Sequence, residues 1–403
     1  MNRNVKAMLL GGCIGIALAV LILGVAVLLN CRFRLNGDQQ SEIQSQNEQQ
    51  SQSTGGTETL ESEVKEEIRN MQEVPETDIL EQDREYAADT VLRISEGTDM
   101  YTYDNLVNDV ELLAKKFPDL VTAESLGKTA DGREIYHVIV GNPQAEHKIF
   151  ISGSIHGREY MSTQLVMKQM VTYLQHIQDS DRYNGMDYTV MWENCAIHVV
   201  PMINPDGVTI SQYGLEGLMT PQIRAQVEAI AVREGGINDP EYFRRWKSNA
   251  NGVDINRNFD ALWDEYQDGV GMPSADHYKG TSPGCEIESA SLIALTEKEQ
   301  FDVTVSYHTQ GSVIYWYFGQ EGELYENTKS IADTISALTG YPTDANYKAL
   351  DPAGYKDWGI SKMGIPGLTV EIGTGYSPVP AEQFEGIWSR NQYVWETLVD
   401  WIL

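Results

Sequence analysis

The chain has 403 residues and a formal charge of −30, from 59 acidic and 29 basic side chains. This length allows two or three domains. An acidic protein repels nucleic acids and anionic membrane surfaces, so the composition argues against both as partners and leaves room only for a local basic site. Four cysteines in so long a chain exclude a disulfide scaffold and a zinc site built from cysteines.

The N-terminal part of the chain predicts a membrane anchor followed by a stalk. Residues 7–29 carry no charge, and a helix rising about 1.5 Å per residue over that length spans a hydrocarbon core of about 30 Å. A cleaved signal peptide is the alternative, but the apolar run is long for one and lacks a small-residue exit. We expect a single-pass anchor in residues 1–34, with the bulk of the chain outside the cell. Residues 35–99 are acidic and rich in Gln and Ser, which predicts a disordered stalk.

From Met100 onward, apolar strands alternate with helical patterns. Helices are expected at residues 103–117, where Pro118 ends the pattern, and at residues 161–177. Strands are expected at 121–126, 134–140, 149–151, 196–203, 303–307 and 368–372, and a turn at 204–207. This alternation is typical of an α/β fold with a mostly parallel sheet and helices on both faces. Residues 100–403 should form one domain with a long insertion around 209–244.

Residues 149–160 bring together side chains suited to binding a metal ion. A short apolar strand there is followed by His156, Arg158 and Glu159. Because His156 and Glu159 are three apart, one helical turn would place them on the same face, where they can bind one ion. Such a pair is common without a metal, so a third ligand must come from elsewhere.

His308 supplies that third ligand in our interpretation, since it also follows a strand at the carboxyl edge of the sheet. Two imidazoles and a carboxylate bind Zn²⁺ and leave one coordination position for water, as catalytic zinc sites do. A structural role is more common for any single histidine. We therefore interpret five others as structural or surface residues: His137, His147, His176, His198 and His277.

Other polar residues are suited to binding and processing a substrate. Glu371 follows an apolar strand, where burial would raise its pKa towards the range of a general base. Arg257, in the segment NANGVDINRNF, can bind a carboxylate through two hydrogen bonds, and Asn256 adds an amide donor. A solvated basic loop is equally compatible with this spacing. Tyr347 and Tyr355 flank the loop before the DW pair at 357–358 and could close over a substrate.

Taken together, these segments resemble the zinc carboxypeptidases, the carboxypeptidase A-like metallopeptidases. The resemblance runs from about Tyr101 to near the C-terminus. It rests on several motifs in the family's order: HGRE (156–159), NPDG (204–207), GVDINRNF (252–259), YHTQ (307–310), DW (357–358) and TVEIG (369–373). It implies a central mixed, mostly parallel sheet flanked by helices. It also implies one Zn²⁺ ion bound by His156, Glu159 and His308, with Glu371 as general base.

The resemblance implies substrate contacts as well. Asn256 and Arg257 would bind the terminal carboxylate of a peptide, and Arg158 would support the scissile carbonyl. The family's carbonyl-polarising arginine is replaced by Lys247, so carbonyl activation could depend on Arg158 or Arg245 instead.

Two further positions concern the substrate side chain. Neither Tyr347 nor Tyr355 aligns cleanly with the family's loop tyrosine, so both remain candidates. Lys356 falls near the position that sets side-chain preference, where a cation would favour an acidic group on the substrate.

Within the family, the segments EIGTGYSPVP and RWKSNANGVDINRNF are most similar to bacterial γ-D-glutamyl-diamino acid peptidases, which cut cell-wall peptides. The resemblance thus implies a zinc metallocarboxypeptidase, and the predicted N-terminal anchor adds the expectation that it is membrane-anchored and extracellular. We expect a monomer whose partners are peptides with a free carboxylate, such as peptidoglycan stem peptides. Three alternatives remain open: a carboxypeptidase for ordinary extracellular peptides, a zinc deacylase of N-acyl amino acids, and a surface-binding protein without catalysis. The anchor argues against the deacylases, which are usually cytosolic, and the complete residue set argues against lost catalysis.

Overall fold

The structure is a computed structural model that describes residues 100–239, 241–346 and 351–403. The predicted anchor (1–34), the predicted stalk (35–99) and Tyr347 lie outside the described residues. Within those three ranges, no helix combines the length and the apolar character needed to cross a membrane.

The described domain is built on an eight-stranded sheet, which confirms the expected α/β fold. The strands are β1 (Val121–Lys128), β2 (Glu134–Val140), β3 (His147–Ser152), β6 (Cys195–Val200), β7 (Val303–Thr309), β8 (Val313–Tyr315), β9 (Thr343–Asp344) and β10 (Gly367–Ile372); β4 (Arg182–Tyr183) and β5 (Met186–Asp187) form a separate hairpin. The spatial order in the sheet is β1-β2-β6-β3-β7-β10-β8-β9. The central neighbours β6, β3, β7 and β10 are parallel, whereas β1–β2, β2–β6 and β8–β10 are antiparallel, so the sheet is mixed and mostly parallel.

Helices cover both faces of the sheet. They are α1 (Tyr103–Lys116), α2 (Met161–Asp179), α3 (Tyr188–Asn194), α4 (Pro205–Tyr213), α5 (Pro221–Arg233), α6 (Ile287–Glu299), α7 (Gly322–Thr339), α8 (Tyr355–Trp358), α9 (Phe384–Asn391) and α10 (Val394–Ile402). In β3, Ile149 and Ile151 belong to the core that contains Leu165 of α2. Phe150 points to the opposite core, which contains Leu292 of α6. A strand that is buried on both faces must be apolar at successive positions, which explains the run IFI.

The expected turn at 204–207 is instead the first turn of α4, so that prediction was wrong. The Asn204 side chain accepts a hydrogen bond from the backbone N–H of Gly207 at 2.8 Å, and Pro205 occupies the first helical position. An asparagine cap followed by proline strongly favours the start of a helix. The asparagine side chain accepts a hydrogen bond from a backbone N–H that has no partner within the helix, and proline has no N–H that would be left unpaired. The expected insertion around 209–244 accordingly contains the end of α4 and all of α5.

Two histidines predicted to be structural form a buried pair between β2 and β6. His137 Nε2 lies 3.0 Å from His198 Nδ1, and His137 Nδ1 lies 2.9 Å from Glu124 Oε1. Both rings are almost completely buried. Burial lowers the pKa of His137, and burial together with the neighbouring His137 lowers the pKa of His198 to about 3.

This pair should make the fold sensitive to acid. Below the ordinary histidine pKa of 6.5, the unfolded chain binds a proton that folded His198 excludes, so stability is lost as the pH falls from 6.5 towards 3. Denaturant unfolding of the natural protein and of His198→Gln measures this effect. We expect the free energy of unfolding of the natural protein, relative to that of the variant, to be about 2 kcal/mol lower at pH 5 than at pH 7. A difference that stays constant over this range would show that His198 does not titrate on unfolding.

Candidate active site

The predicted metal ligands meet at the carboxyl edge of the central strands. After β3, a single 3₁₀ turn at Gly157–Glu159 places Glu159 beside His156. His308 lies at the end of β7, the parallel neighbour of β3, and is in register with Glu371 on β10. Three adjacent parallel strands therefore deliver these four side chains to one edge, as expected of an open α/β sheet.

The three ligands form a compact, buried group. His156 Nδ1 lies 2.8 Å from Glu159 Oε1, and His308 Nδ1 lies 3.1 Å from Glu159 Oε2. One donor atom from each residue lies within 4.8 Å of the other two. Burial alone would raise the pKa of Glu159, but His156 and then His308 lower it below its ordinary value. Two imidazole nitrogens and an ionised carboxylate at this spacing fit a Zn²⁺ ion.

Two glycines allow the turn that carries His156 and Glu159 to pack closely against neighbouring backbone. A Cβ atom on Gly157 would lie 2.4 Å from the carbonyl oxygen of Gly207 in α4, and one on Gly207 would lie 2.5 Å from the Ser248 carbonyl oxygen. Only glycine permits such approaches between backbones. The Gly157 N–H also donates to the Lys247 carbonyl oxygen at 2.9 Å. The NPDG motif thus holds the ligand turn against the segment that carries Lys247.

Asp254 contacts the outer nitrogen of a ligand and was not predicted from the sequence. Its Oδ1 lies 3.2 Å from His156 Nε2, and its Oδ2 lies 2.8 Å from Lys247 Nζ. Burial alone would raise the pKa of Asp254, but Lys247 and then His156 hold it well below the ordinary range. A carboxylate at this position fixes the orientation of a metal-binding imidazole. Asp254 lies in the GVDINRNF motif, which was its only signal in the sequence.

Asp276, also missed from the sequence, lies between the two cations proposed to act on the carbonyl. Its Oδ1 lies 3.1 Å from Lys247 Nζ, and its Oδ2 lies 3.4 Å from Arg158 Nη2. Lys247 thus lies between Asp254 and Asp276, which restrain an otherwise flexible ammonium group. The structure does not place the Arg245 side chain at the site, because it is half-exposed and lies 2.7 Å from Asp239.

A cavity of about 270 Å³ reaches Glu371, the residue in register with His308 on the neighbouring strand. It is lined by Asn256, Arg257, Tyr315, Phe318, Asp351, Gly354, Lys356, Asp357, Thr369 and Glu371. Arg257 is largely buried, and its Nε has no hydrogen-bond partner among the residues that the structure describes. Its Nη1 donates to the Asn256 carbonyl oxygen at 2.6 Å, and its Nη2 lies 3.9 Å from Asp351 Oδ2. An arginine with a buried free donor in a cavity can bind a substrate carboxylate.

Glu371 faces the same cavity. Burial raises the pKa of its carboxyl group to about 7; the nearby Glu159 adds to this effect, while His308, Lys247 and Arg257 oppose it. A carboxyl group with a pKa near neutrality can both accept and donate a proton under physiological conditions. The position of Glu371 in the cavity and the raised pKa are compatible with the general-base role predicted for it.

Lys356 lies in the cavity as predicted, but it is already paired. Its Nζ lies 2.6 Å from Asp357 Oδ1 and 5.5 Å from the centre of the Phe318 ring. Both charged side chains are largely buried. The expected preference for an acidic substrate group considered Lys356 alone, whereas this end of the cavity presents one positive and one negative charge.

Tyr355 was wrongly predicted to contact the substrate. It is 1% exposed, and its hydroxyl oxygen lies 2.8 Å from Thr296 Oγ1. Its ring packs edge-on against Phe150 and Phe259 in the core. The reason is that α8 begins at Tyr355 and turns the ring inward, while its backbone N–H donates to Asn256 Oδ1 at 3.1 Å.

The five other histidines stay outside the metal group, as predicted. His137 and His198 contact each other, and the remaining three contact carboxylates of Asp302, Asp181 and Asp276. Across the described parts of the chain, His156, Glu159 and His308 are the one group found with metal-binding geometry.

An α/β domain with a buried His-Glu-His group, a carboxyl group of raised pKa and an arginine-containing cavity has the features of a zinc hydrolase. The chain belongs to the zinc carboxypeptidase family, peptidase M14, whose profile matches residues 106–394. The predicted enzyme class, a zinc metallocarboxypeptidase, and its single zinc ion are thereby confirmed.

Individual relatives agree with this assignment. The chain is 29% identical over 299 residues to γ-D-glutamyl-L-diamino acid endopeptidase 1 of Lysinibacillus sphaericus, covering 74% of this chain and 72% of the relative. It is 24% identical over 337 residues to carboxypeptidase B of Astacus astacus, and the match covers 74% of this chain and 98% of that relative. Its fold is similar to that of carboxypeptidase A from Helicoverpa armigera, with a TM-score of 0.55 and 17% identity over 75% of this chain and 74% of the other.

Proposed function

We propose that the chain hydrolyses the peptide bond between γ-D-glutamate and a diamino acid in cell-wall peptides. Family membership supports peptide hydrolysis, and the name of the Lysinibacillus relative supports this particular bond. The observation that carries the proposal is the Lys356–Asp357 pair in the cavity beside Glu371.

Each side chain of the site has a role in this reaction. His156, Glu159 and His308 would hold Zn²⁺, which supplies Lewis acidity at the scissile carbonyl. Glu371 takes a proton from the attacking water and delivers it to the leaving amine as the C–N bond breaks.

The cations on the cavity walls stabilise charge and bind the substrate. Lys247 and Arg158 stabilise the negative charge that develops on the carbonyl oxygen. Arg257 and Asn256 bind the free carboxylate beside the scissile bond.

The charge pair fits the side chain of a diamino dicarboxylic acid. Diaminopimelate ends in an ammonium and a carboxylate, which can pair with Asp357 and Lys356 respectively. An uncharged side chain would leave both protein charges without a substrate partner, and a lysine side chain would leave Lys356 without one. The alternative of a general carboxypeptidase predicts no such dependence.

Removing both charges should change substrate choice. We expect Lys356→Gln combined with Asp357→Asn to lower kcat/KM about tenfold for a peptide ending in diaminopimelate and less than about twofold for one ending in leucine. The double substitution avoids leaving one buried charge unpaired. Lys362→Gln combined with Asp260→Asn is a matched control, because that ion pair is exposed and lies outside the cavity. Equal losses on both peptides would contradict the proposed recognition.

We also propose that residues 1–34 anchor the enzyme at the outer face of the cell membrane. The uncharged run at 7–29 and a substrate in the cell wall support this location. Fractionation of cells that produce the whole chain or a form lacking residues 1–34 tests it. Recovery of the whole chain in the soluble fraction would contradict the anchor.

A further inference from the structure

A second cavity, of about 530 Å³, lies outside the site described above. Its walls include Tyr160, Gln164, Gln212, Tyr213, Phe243 and Arg244. Within the described parts of the chain, it shares no lining residue with the cavity that contains Arg257 and Lys356.

The walls of the second cavity are continuous with segments of the active site. Tyr160 directly follows the ligand Glu159, and Arg244 lies three residues before Lys247. Arg244 is held in place by its carbonyl oxygen, which accepts a hydrogen bond from Ser211 Oγ at 2.7 Å. A third wall, Val379–Ala381 in sequence, belongs to the loop after β10 that carries Ser377, whose Oγ lies 2.7 Å from Thr309 Oγ1 at the end of β7.

This position suits the part of a substrate that the first cavity does not bind. In the proposed function, the cavity that contains Arg257 and Lys356 binds the substrate residue that carries the free carboxylate. The amino group of that residue is the leaving group. The acyl part on the other side of the scissile bond must lie elsewhere. The turn Phe243–Arg245, which carries the lining residue Arg244, contacts the turn Gly157–Glu159, since Arg158 Nη1 donates to the Arg245 carbonyl oxygen at 3.2 Å. The size of the second cavity is sufficient for one or two residues, since small-molecule sites range from about 300 to 1,000 Å³.

The lining of the second cavity selects for an anionic group beside apolar surface. Tyr160, Tyr213 and Phe243 provide aromatic walls, and Arg244 is the one charged residue among the lining residues that the structure describes. The Arg244 guanidinium is half-exposed and lies 3.5 Å from Glu241, a long contact for an ion pair. In a protein with a formal charge of −30, such a weakly paired cation is suited to bind an anion locally.

An unsatisfied acceptor lies in the same wall. Gln212 donates through Nε2 to the Tyr101 carbonyl oxygen at 2.8 Å, whereas its buried Oε1 has no hydrogen-bond partner among the described residues. Buried acceptors of this kind are usually paired, so Oε1 is suited to receive an N–H from a bound ligand.

We propose that the second cavity binds the acyl part of the substrate and that Arg244 pairs with a free carboxylate there. The inference rests on the proposed function and names a recognition element for it. When glutamate is linked through its γ-carboxyl group, its α-carboxylate remains free on the acyl side of the scissile bond. An ordinary α-linked peptide has no main-chain carboxylate at that place, so Arg244 distinguishes the two linkages.

Two matched substrates and two matched variants test this inference. The substrates are L-Ala-γ-D-Glu-diaminopimelate with a free α-carboxylate on the glutamate and the same peptide with that group amidated. The variants of the whole chain are Arg244→Gln and, as control, Arg245→Gln, which removes an adjacent cation of similar exposure that does not line the cavity.

We expect Arg244→Gln to lower kcat/KM about fivefold on the acid substrate and to leave the amidated one unchanged. Arg245→Gln should leave both unchanged. Calorimetry with the acyl product L-Ala-D-Glu should show a Kd raised by the same factor in Arg244→Gln alone. Equal effects of Arg244→Gln on both substrates, or none on either, would overturn the role of Arg244.

Failure of the proposed function would give a different result. The natural protein would then cleave neither γ-linked substrate but would trim ordinary peptides. In that case the Arg244→Gln comparison is repeated with two ordinary peptides that carry either Glu or Gln on the acyl side of the cleaved bond. A loss confined to the Glu peptide in Arg244→Gln would then support an anion-binding cavity, and the absence of such a difference would overturn it.

Discussion

Replacing Glu371 with Gln should lower kcat on a cleaved peptide about 10³-fold while leaving the bound zinc unchanged. The amide has nearly the shape of the carboxylate, so it should fit the cavity that Glu371 lines. It cannot take the proton of the attacking water, and it has no pKa near 7 with which to return one to the leaving amine. Single-turnover kinetics together with zinc content separate this loss from a loss of metal.

A matched control for this substitution is Glu326→Gln, on the exposed side of α7, which should retain full activity. Activity in Glu371→Gln above about a tenth of the natural level would contradict a role in proton transfer, since removing such a group typically costs at least 10²-fold. Parallel losses of zinc and activity would point to a structural effect instead.

Replacing His308 with Ala should remove both zinc and turnover. The substitution leaves His156 and Glu159 as the remaining ligands and leaves Glu159 with one fewer of the neighbours that hold its pKa low. We expect zinc affinity to fall by more than about 100-fold, because even residues that only support a ligand contribute 10- to 100-fold. Zinc titration after chelation measures this effect directly.

The control for His308→Ala is His277→Ala, which removes a half-exposed histidine that is not in the metal group. Added zinc should restore activity to the chelated natural protein and to His277→Ala, but not to His308→Ala. The zinc-loaded natural protein should also unfold at a higher temperature than the chelated form, since a ligand that binds only the folded state stabilises it. Full zinc occupancy in His308→Ala would remove it from the ligand set.

The metal ligands could be proposed from sequence because their signals are local. His156 and Glu159 share one turn, and His308 stands at the end of an apolar strand. Both strands run parallel in the sheet, so their ends had to meet at one edge. The structure brings His156, Glu159 and His308 together at that edge. The helix predicted from residue 103 and the strand at 134–140 were placed correctly because their periodicity and boundaries are clear.

Features that depend on distant residues could not be predicted in the same way. Asp276 contacts Arg158 across more than 100 positions of the chain, and no local pattern marks that contact. Tyr355 could be assigned to the core only once Phe150 and Phe259 were known to pack against it. The charge of Lys356 alone suggested that this position binds an acidic substrate group. Its pairing with Asp357 shows that a negative charge lies at the same position.

Mass analysis of the cleavage products tests the central proposal most directly. Zinc-loaded protein would be incubated with L-Ala-γ-D-Glu-diaminopimelate and, separately, with ordinary peptides of L-residues that end in a free carboxylate. We predict release of diaminopimelate together with L-Ala-D-Glu, at a higher kcat/KM than any trimming of the ordinary peptides. Trimming of ordinary peptides without cleavage after γ-D-glutamate would contradict the cell-wall substrate while leaving the zinc chemistry in place.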